Sequence, residues 1–333
     1  MRKLHTRTIG DRPRLRHRVI LKRVLTYGLL SVAITIILAL GWLRWESHLP
    51  QEQWFVERHG HLVDVTVNRG VTSHGQLSEQ LTLRSSSGLQ VVARLVRNED
   101  HYGRQPIFVV LGGHRTGSDA VDLFGNVGEH AVVGVGYPYD GPEKVRGVLQ
   151  TLGAIPQARR AFLDTVPGVS LVIDWLVEQS WVDTSRIIIV GGSLGVPFAA
   201  TAAVHDARIT GAILIHGAVD NRLWIEAQLA RRIDKTWLHY PLSVVLHWLA
   251  YGPVHNTGMH VGEIAPRPTL IVGARNDERT PAGQSERLYE LAGEPKRLRF
   301  TEGAHIKPDQ PDIIEALLRI ADEEKPFLTG GKK

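Results

Sequence analysis

Residues 186–195 read RIIIVGGSLG and are followed by an alanine-rich stretch, Val196–His205. The run Ile187–Val190 is entirely β-branched and does not alternate, which predicts a strand buried on both faces. Gly191 and Gly195 stand two residues either side of Ser193. This is G-x-S-x-G between a strand and a helix, where the glycines let both elements close around a tight turn that exposes the serine oxygen. The helix N-terminus then directs backbone N–H groups toward that oxygen. The same residues also suit a glycine-rich loop with an N-capping serine. What surrounds them must decide.

Outward from that stretch the strand-and-helix pattern repeats. Pro106–Leu111, His130–Val135, Arg208–Ile215, Pro268–Val272 and Lys296–Phe300 are further apolar strands. Helices are expected at Asp119–Gly128, Gln157–Gln179, Gln284–Ala292 and Asp312–Glu323. Gln80–Arg84 and Leu89–Val96, divided by Ser85-Ser86-Ser87-Gly88, predict an antiparallel hairpin. The fold class is α/β, a mostly parallel central sheet with helices on both faces. In such sheets the chemistry lies at the carboxyl ends of the strands.

A serine hydroxyl becomes a nucleophile only when a base takes its proton, so a histidine held by a carboxylate is required. Asp277 follows the Pro268–Val272 strand, and His305 follows the Lys296–Phe300 strand after Gly303-Ala304. Ser193, Asp277 and His305 therefore occur in that order, each past its own strand. Asp220, in His216-Gly217-Ala218-Val219-Asp220, is the rival acid. Of the 16 histidines only His305 directly follows the final strand. His114 and His216 read as pocket lining or ordinary hydrogen bonding, and Asp140 and Glu302 as loop solvation. An oxyanion hole needs backbone donors. The Leu194 N–H supplies one, and the loop Gly112-Gly113-His114-Arg115-Thr116-Gly117 supplies the other, through Gly113 or His114.

Residues 80–325 resemble an α/β-hydrolase-fold serine hydrolase of the dienelactone-hydrolase-like and prolyl-oligopeptidase-like group. The order Ser193, Asp277, His305 is the order of that fold. Trp181-Val182-Asp183-Thr184-Ser185-Arg186-Ile187 is similar to the lead-in of those groups. Gly273, Asp277 and Thr280-Pro281 match the commoner setting of the acid, which favours Asp277 over Asp220. In related sequences the oxyanion loop often begins His-Gly; here glycine replaces the histidine, and alignment on Gly113 makes His114 N–H the donor. The resemblance implies an acyl-enzyme mechanism on an ester, thioester or amide, with no metal or organic cofactor. A peptidase of the same fold and a tethered, non-catalytic binding protein are the competing readings. The short stretch between the apolar run described below and this domain leaves no room for the propeller of prolyl oligopeptidases.

An insertion at 221–262 stands where this fold carries a cap. It holds Trp224, Trp237 and Trp248, and after Pro241 it places Leu242, Val245, Leu246 and Leu249 on one helical face. Most of that face is expected to pack on the core. The remainder, with Trp237 and Trp248, is expected to shape an apolar acyl pocket.

The chain has 333 residues, 39 Lys+Arg against 34 Asp+Glu, and no cysteine. The missing cysteine excludes a disulfide scaffold, a thiol nucleophile and thiolate-bound metal. The positive charge is local: residues 1–23 carry nine basic residues and the single acid Asp11, so the body is slightly acidic. Nucleic acid is therefore not indicated as a partner. Val24–Leu43 (VLTYGLLSVAITIILALGWL) follows without a charge and is closed by Arg44. A helix of that length spans roughly 30 Å, the hydrocarbon thickness of a bilayer. Tyr27, Trp42 and Trp45 sit near its ends, where such rings favour the interface. Ala39-Leu40-Gly41 resembles a small-x-small cleavage site, yet the length of both regions favours an uncleaved anchor over a signal peptide. The positive-inside rule puts 1–23 in the cytoplasm and the rest across the membrane, in the periplasm if the cell is Gram-negative. Residues 44–78 read as an extra strand and a stalk without chemistry, with His48, His59 and His61 solvated. The hydrolase domain is placed at 79–325 and a C-terminal tail at 326–333.

Overall fold

A computed structural model describes residues 12–72, 75–113, 116–142 and 147–329. The chain divides into two units at Glu46/Ser47. The first is the bulk of helix α1 (Arg12–Ser47), whose portion from Ile20 onward is long and apolar enough to cross a membrane, with a mean hydropathy of 2.2. Its threonines turn inward: Thr26 and Thr35 hydroxyls donate to the carbonyls of Lys22 and Ser31. That leaves few polar groups for a lipid environment to solvate. Of the basic tail, Arg2, Lys3, Arg7 and Asp11 lie outside the described residues.

The second unit is built on nine strands: β1 (Leu62–Val71), β2 (Leu77–Ser85), β3 (Gln90–Arg97), β4 (Gln105–Leu111), β5 (Ala131–Val135), β6 (Val182–Gly192), β7 (Gly211–Ile215), β8 (Thr269–Ala274) and β9 (Lys296–Thr301). They lie in one sheet in the order β1-β2-β3-β5-β4-β6-β7-β8-β9. β1, β2, β3 and β5 pair antiparallel, and every pair from β5 through β4 to β9 is parallel. The helices are α2 (Glu52–His59), α3 (Gly147–Val177), α4 (Gly195–His205), α5 (Asn221–Ala230), α6 (His239–Leu249), α7 (Thr257–His260), α8 (Gln284–Leu291) and α9 (Pro311–Leu328).

Strand alternation divides the core into two halves. On β6, Ile187 and Ile189 enter a cluster with side chains of α3, α4 and α8, including Leu171, Ile173, Val196 and Leu288. Ile188 and Val190 enter a second cluster with Ile313, Leu317 and Ile320 of α9 and with Ala120 and Val121. The last two belong to a 3-10 turn, Gly117–Phe124, which replaces the helix expected at Asp119–Gly128. Gly125 and Gly128, both in the left-handed region, stop it short. One face of the sheet is thus covered by long helices and the other by a short turn and α9.

Three expected boundaries move. The helix expected to begin at Gln157 begins at Gly147, with Pro156 and Pro167 inside it. The stretch 44–78 holds the expected extra strand, β1, which pairs with β2 along its length, but in place of a stalk it forms α2, whose Phe55 is buried in the core. His59, expected to be solvated, lies 2.7 Å from the Asp174 carboxylate on α3, beside an Arg58–Asp164 pair at 2.9 Å. The tail expected at 326–333 is helical through Leu328, which is buried; residues 330–333 lie outside the described residues.

Candidate active site

β6 ends at Gly192 and α4 begins at Gly195, so Ser193 must turn the chain within two residues. It does so at φ 54°, a strained left-handed conformation for a residue with a side chain. The flanking glycines are sterically required. A Cβ on Gly191 would stand 2.8 Å from the Gly195 carbonyl oxygen, and one on Gly195 would stand 2.0 Å from that of Leu111. Ser193 N–H donates to Ile215 O across the sheet edge at 2.9 Å. The hydroxyl is thereby fixed above the carboxyl ends of β6 and β7.

The structure brings Ser193, His305 and Asp277 together. His305 Nε2 is 2.7 Å from Ser193 Oγ, and its Nδ1 is 2.9 Å and 3.0 Å from the two oxygens of Asp277. An ionised carboxylate only accepts, so Nδ1 carries the proton and Nε2 is left to accept from the serine. Asp277 also accepts the N–H groups of Arg279 and Thr280, each at 2.8 Å. Burial works against its charge, but the His305 hydrogen bond, the His305 charge and these N–H groups outweigh it and lower its pKa. Asp220, the rival acid, instead caps α5, accepting from Arg222 N–H and Leu223 N–H.

Two neighbours hold this constellation: Glu278, which the sequence did not single out, and His216, expected to line the pocket or hydrogen-bond, which here hydrogen-bonds. Glu278 accepts the His305 backbone N–H at 2.9 Å and pairs with Lys307 at 2.7 Å. Burial raises its pKa, yet Lys307 and that N–H overcome the effect and hold it at about 2. His216 lies buried beside His305 and Asp277 at φ 52°. Its Nδ1 accepts the Ile306 N–H at 2.9 Å, its Nε2 meets Thr301 Oγ1 at 3.1 Å, and Thr280 Oγ1 donates to its carbonyl. A ring that accepts at one nitrogen must be neutral, and burial, with the His305 charge, lowers the His216 pKa to about 4 against the opposing pull of Asp277 and Glu278. His216, Asp277 and His305 place their ligand atoms within 4.8 Å of one another, a spacing that suits a metal. Those atoms already hydrogen-bond to Ser193, Ile306, Thr301 and each other. No spacing rule links Glu278 or His216 to Ser193; only the fold does.

Gly113 and Leu194 both border the cavity at Ser193, where oxyanion donors are expected. His114 lies outside the described residues. Tyr137, from the end of β5, donates its hydroxyl to Gly112 O at 2.6 Å and ties down the start of that loop; burial raises its pKa. Two cavities meet at Ser193, sharing that residue with Phe162, Leu194 and Trp224. One, of about 840 Å³, passes beneath α9; the other, of about 320 Å³, lies under α5 and α6 and is bordered by Leu246 and Leu249. Helices α5 to α7 thus occupy the insertion at 221–262. Trp224 is its pocket tryptophan, whereas Trp237 is 71% exposed and neither it nor Trp248 borders either cavity. Helical period predicts that a face exists, not which side of it meets the site.

The prolyl oligopeptidase family model matches residues 164–298, which hold the serine turn and Asp277 but stop short of His305. Similarity over most of the chain comes from solved structures. Acetyl xylan esterase from Paenibacillus sp. R4 is 18% identical with a TM-score of 0.58, covering 82% of this chain and 92% of that one. By fold, the chain is an α/β-hydrolase. Acetyl xylan esterase 1 from Thermoanaerobacterium sp. JW/SL YS485 is 15% identical with a TM-score of 0.54, covering 85% of this chain and 95% of that one. The uncharacterized proteins Rv2307c and MT2364 of Mycobacterium tuberculosis are each 28% identical over 156 residues, covering 47% of this chain. The chain spans about half the length of these relatives, 49% of each.

Proposed function

We propose that this α/β-hydrolase cleaves a carboxylic ester or thioester through an acyl-enzyme on Ser193. The observation that carries the reading is the unbroken hydrogen-bond chain from Ser193 Oγ through His305 to Asp277. Ser193 Oγ attacks the carbonyl carbon while His305 Nε2 takes its proton. Asp277 holds the imidazole tautomer and stabilises the imidazolium. Leu194 N–H, with Gly113 or His114 N–H, stabilises the oxyanion. The ester C–O bond breaks, His305 returns the proton to the leaving alcohol, and water attacks the acyl-serine with His305 again as base. The products are one carboxylic acid and one alcohol, with Ser193 restored. Each step uses groups of this chain and water, and none calls for a metal or an organic cofactor.

The apolar helix from Ile20 onward serves in this reading as an uncleaved, single-pass anchor with residues 1–23 in the cytoplasm. The catalytic body then lies outside the cytoplasm, periplasmic in a Gram-negative cell.

Full-length protein in lipid nanodiscs should hydrolyse p-nitrophenyl butyrate and be labelled at Ser193 by a fluorophosphonate. Ser193→Ala should lower kcat by roughly 10⁴- to 10⁶-fold and abolish labelling. No turnover and no labelling of the unmodified protein would overturn the reading. The matched family model supports a second arm, short peptide amides. Faster turnover of these than of esters would make the enzyme a peptidase.

A further inference from the structure

The larger cavity is longer than a short-chain ester needs. Along β4 its lining runs from Phe108 through Val110 to Gly112, roughly 13 Å at about 3.3 Å per residue. Helix α9 leaves the carboxyl edge of the sheet after β9 and returns toward the amino edge. Its residues Ile314, Leu318 and Ala321 form the opposite wall in that order. Ser193 and Leu194, just past the carboxyl end of β6, line it, and so do His130, just before the amino end of β5, and Lys325, near the end of α9. The floor is the sheet face whose only covers among the described residues are α9 and the 3-10 turn Gly117–Phe124. Charged side chains, among them Arg279, Lys307 and Asp322, also line the cavity, but its walls between the sheet face and α9 are apolar. Protein interiors are ordinarily filled to crystal-like density, and an unfilled apolar stretch of this kind favours an apolar guest.

We propose that the cavity beneath α9 binds the acyl chain of a long-chain ester, with the scissile carbonyl at Ser193. This assignment rests on the ester-hydrolase reading above and adds the substrate class. The acyl part stays bonded to Ser193 after the first step and suits the channel inside the fold. The alcohol must depart, and the smaller cavity under α5 and α6 gives it a separate way out. The anchor proposed above keeps the enzyme at a bilayer, where long acyl esters are concentrated. The cap tryptophans Trp237 and Trp248 play no part in chain-length selection.

The test compares p-nitrophenyl dodecanoate with butyrate on full-length protein in nanodiscs. Each methylene that enters the cavity contributes roughly fourfold, the equivalent of about 0.8 kcal/mol. The unmodified enzyme should therefore favour dodecanoate in kcat/KM by at least roughly tenfold. Ala321→Trp and Leu318→Trp, which narrow the channel at two depths, should each lower that ratio roughly tenfold, and Trp237→Ala should leave it unchanged. A ratio unmoved by either channel variant, or moved by Trp237→Ala, overturns the proposal. So does dependence on channel width for dodecyl acetate but not for p-nitrophenyl dodecanoate, which would place the alcohol there. A second measurement needs neither channel variants nor turnover: a diazirine-bearing dodecanoic acid, photolysed on Ser193→Ala protein. Cross-links in residues 311–328 support the assignment and cross-links confined to 221–262 refute it. Loss of all ester turnover with α9 cross-linking intact would instead break the hydrolase reading alone.

Discussion

Ile189 and Val190 are neighbours on β6 that point to opposite faces of the sheet, and their surroundings differ. Ile189 is wholly buried against the side that α3, α4 and α8 cover. Val190 keeps 5% of its surface and borders the long cavity. One face is filled by helices; the other is spanned by α9 and a short turn. The contrast teaches how the fold separates tasks: the dense face holds the strands that aim Ser193, and the looser face leaves room beside it.

The largest expected effect tests that contrast on a single strand. Ile189→Ala should destabilise by about 4 kcal/mol, since it removes close-packed methylenes and leaves a hole. Val190→Ala should cost about 1 kcal/mol, because its neighbours already border open space. Chemical denaturation of the two variants reads the difference. Equal losses would mean that the two faces are packed alike.

The next test concerns the edge where both faces end. His216 is held neutral, its pKa lowered from 6.5 to about 4 by burial first and the His305 charge second. Above pH 6.5 neither the folded nor the unfolded chain protonates it, and its contribution to stability is complete. As pH falls from 6.5 toward 4 the unfolded chain takes up the proton first, and stability drops by about 3 kcal/mol. Thermal unfolding between pH 7 and pH 4 should show a steeper acid loss for the native protein than for His216→Asn. An identical slope would remove His216 from the account.

The smallest effect on stability separates two aspartates on adjoining loops. Asp220→Ala should cost about 1 kcal/mol through its lost cap, with ester turnover largely kept. Asp277→Asn should instead lower kcat by roughly 10⁴-fold, because the imidazole loses its tautomer. Comparable loss of kcat in both would make Asp220 part of the machinery.

Much of this was legible because it is written in local pattern. RIIIVGGSLG has the period of a buried strand and the glycines of a closed turn, and the apolar runs around β4, β5, β8 and β9 each end in a loop where chemistry can sit. Residues 44–78 were harder to read. β1 is an edge strand with mostly exposed side chains on both faces, so its alternation of Val63, Val65 and Val67 with polar residues carries no strong burial signal.

The sequence by itself determined the strand-turn-helix at Ser193, the order of Ser193, Asp277 and His305, and the charge-free run at Val24–Leu43. These rest on short-range sterics and hydropathy, which act between residues a few places apart. Only the tertiary structure decided that His305 reaches Asp277 rather than Asp220, and that His59 meets Asp174 across the chain. It also decided that Trp224, not Trp237, faces the site, and that one side of the sheet keeps a channel. Those outcomes depend on which elements pack against which, and on the volume left between them, quantities that no local spacing contains.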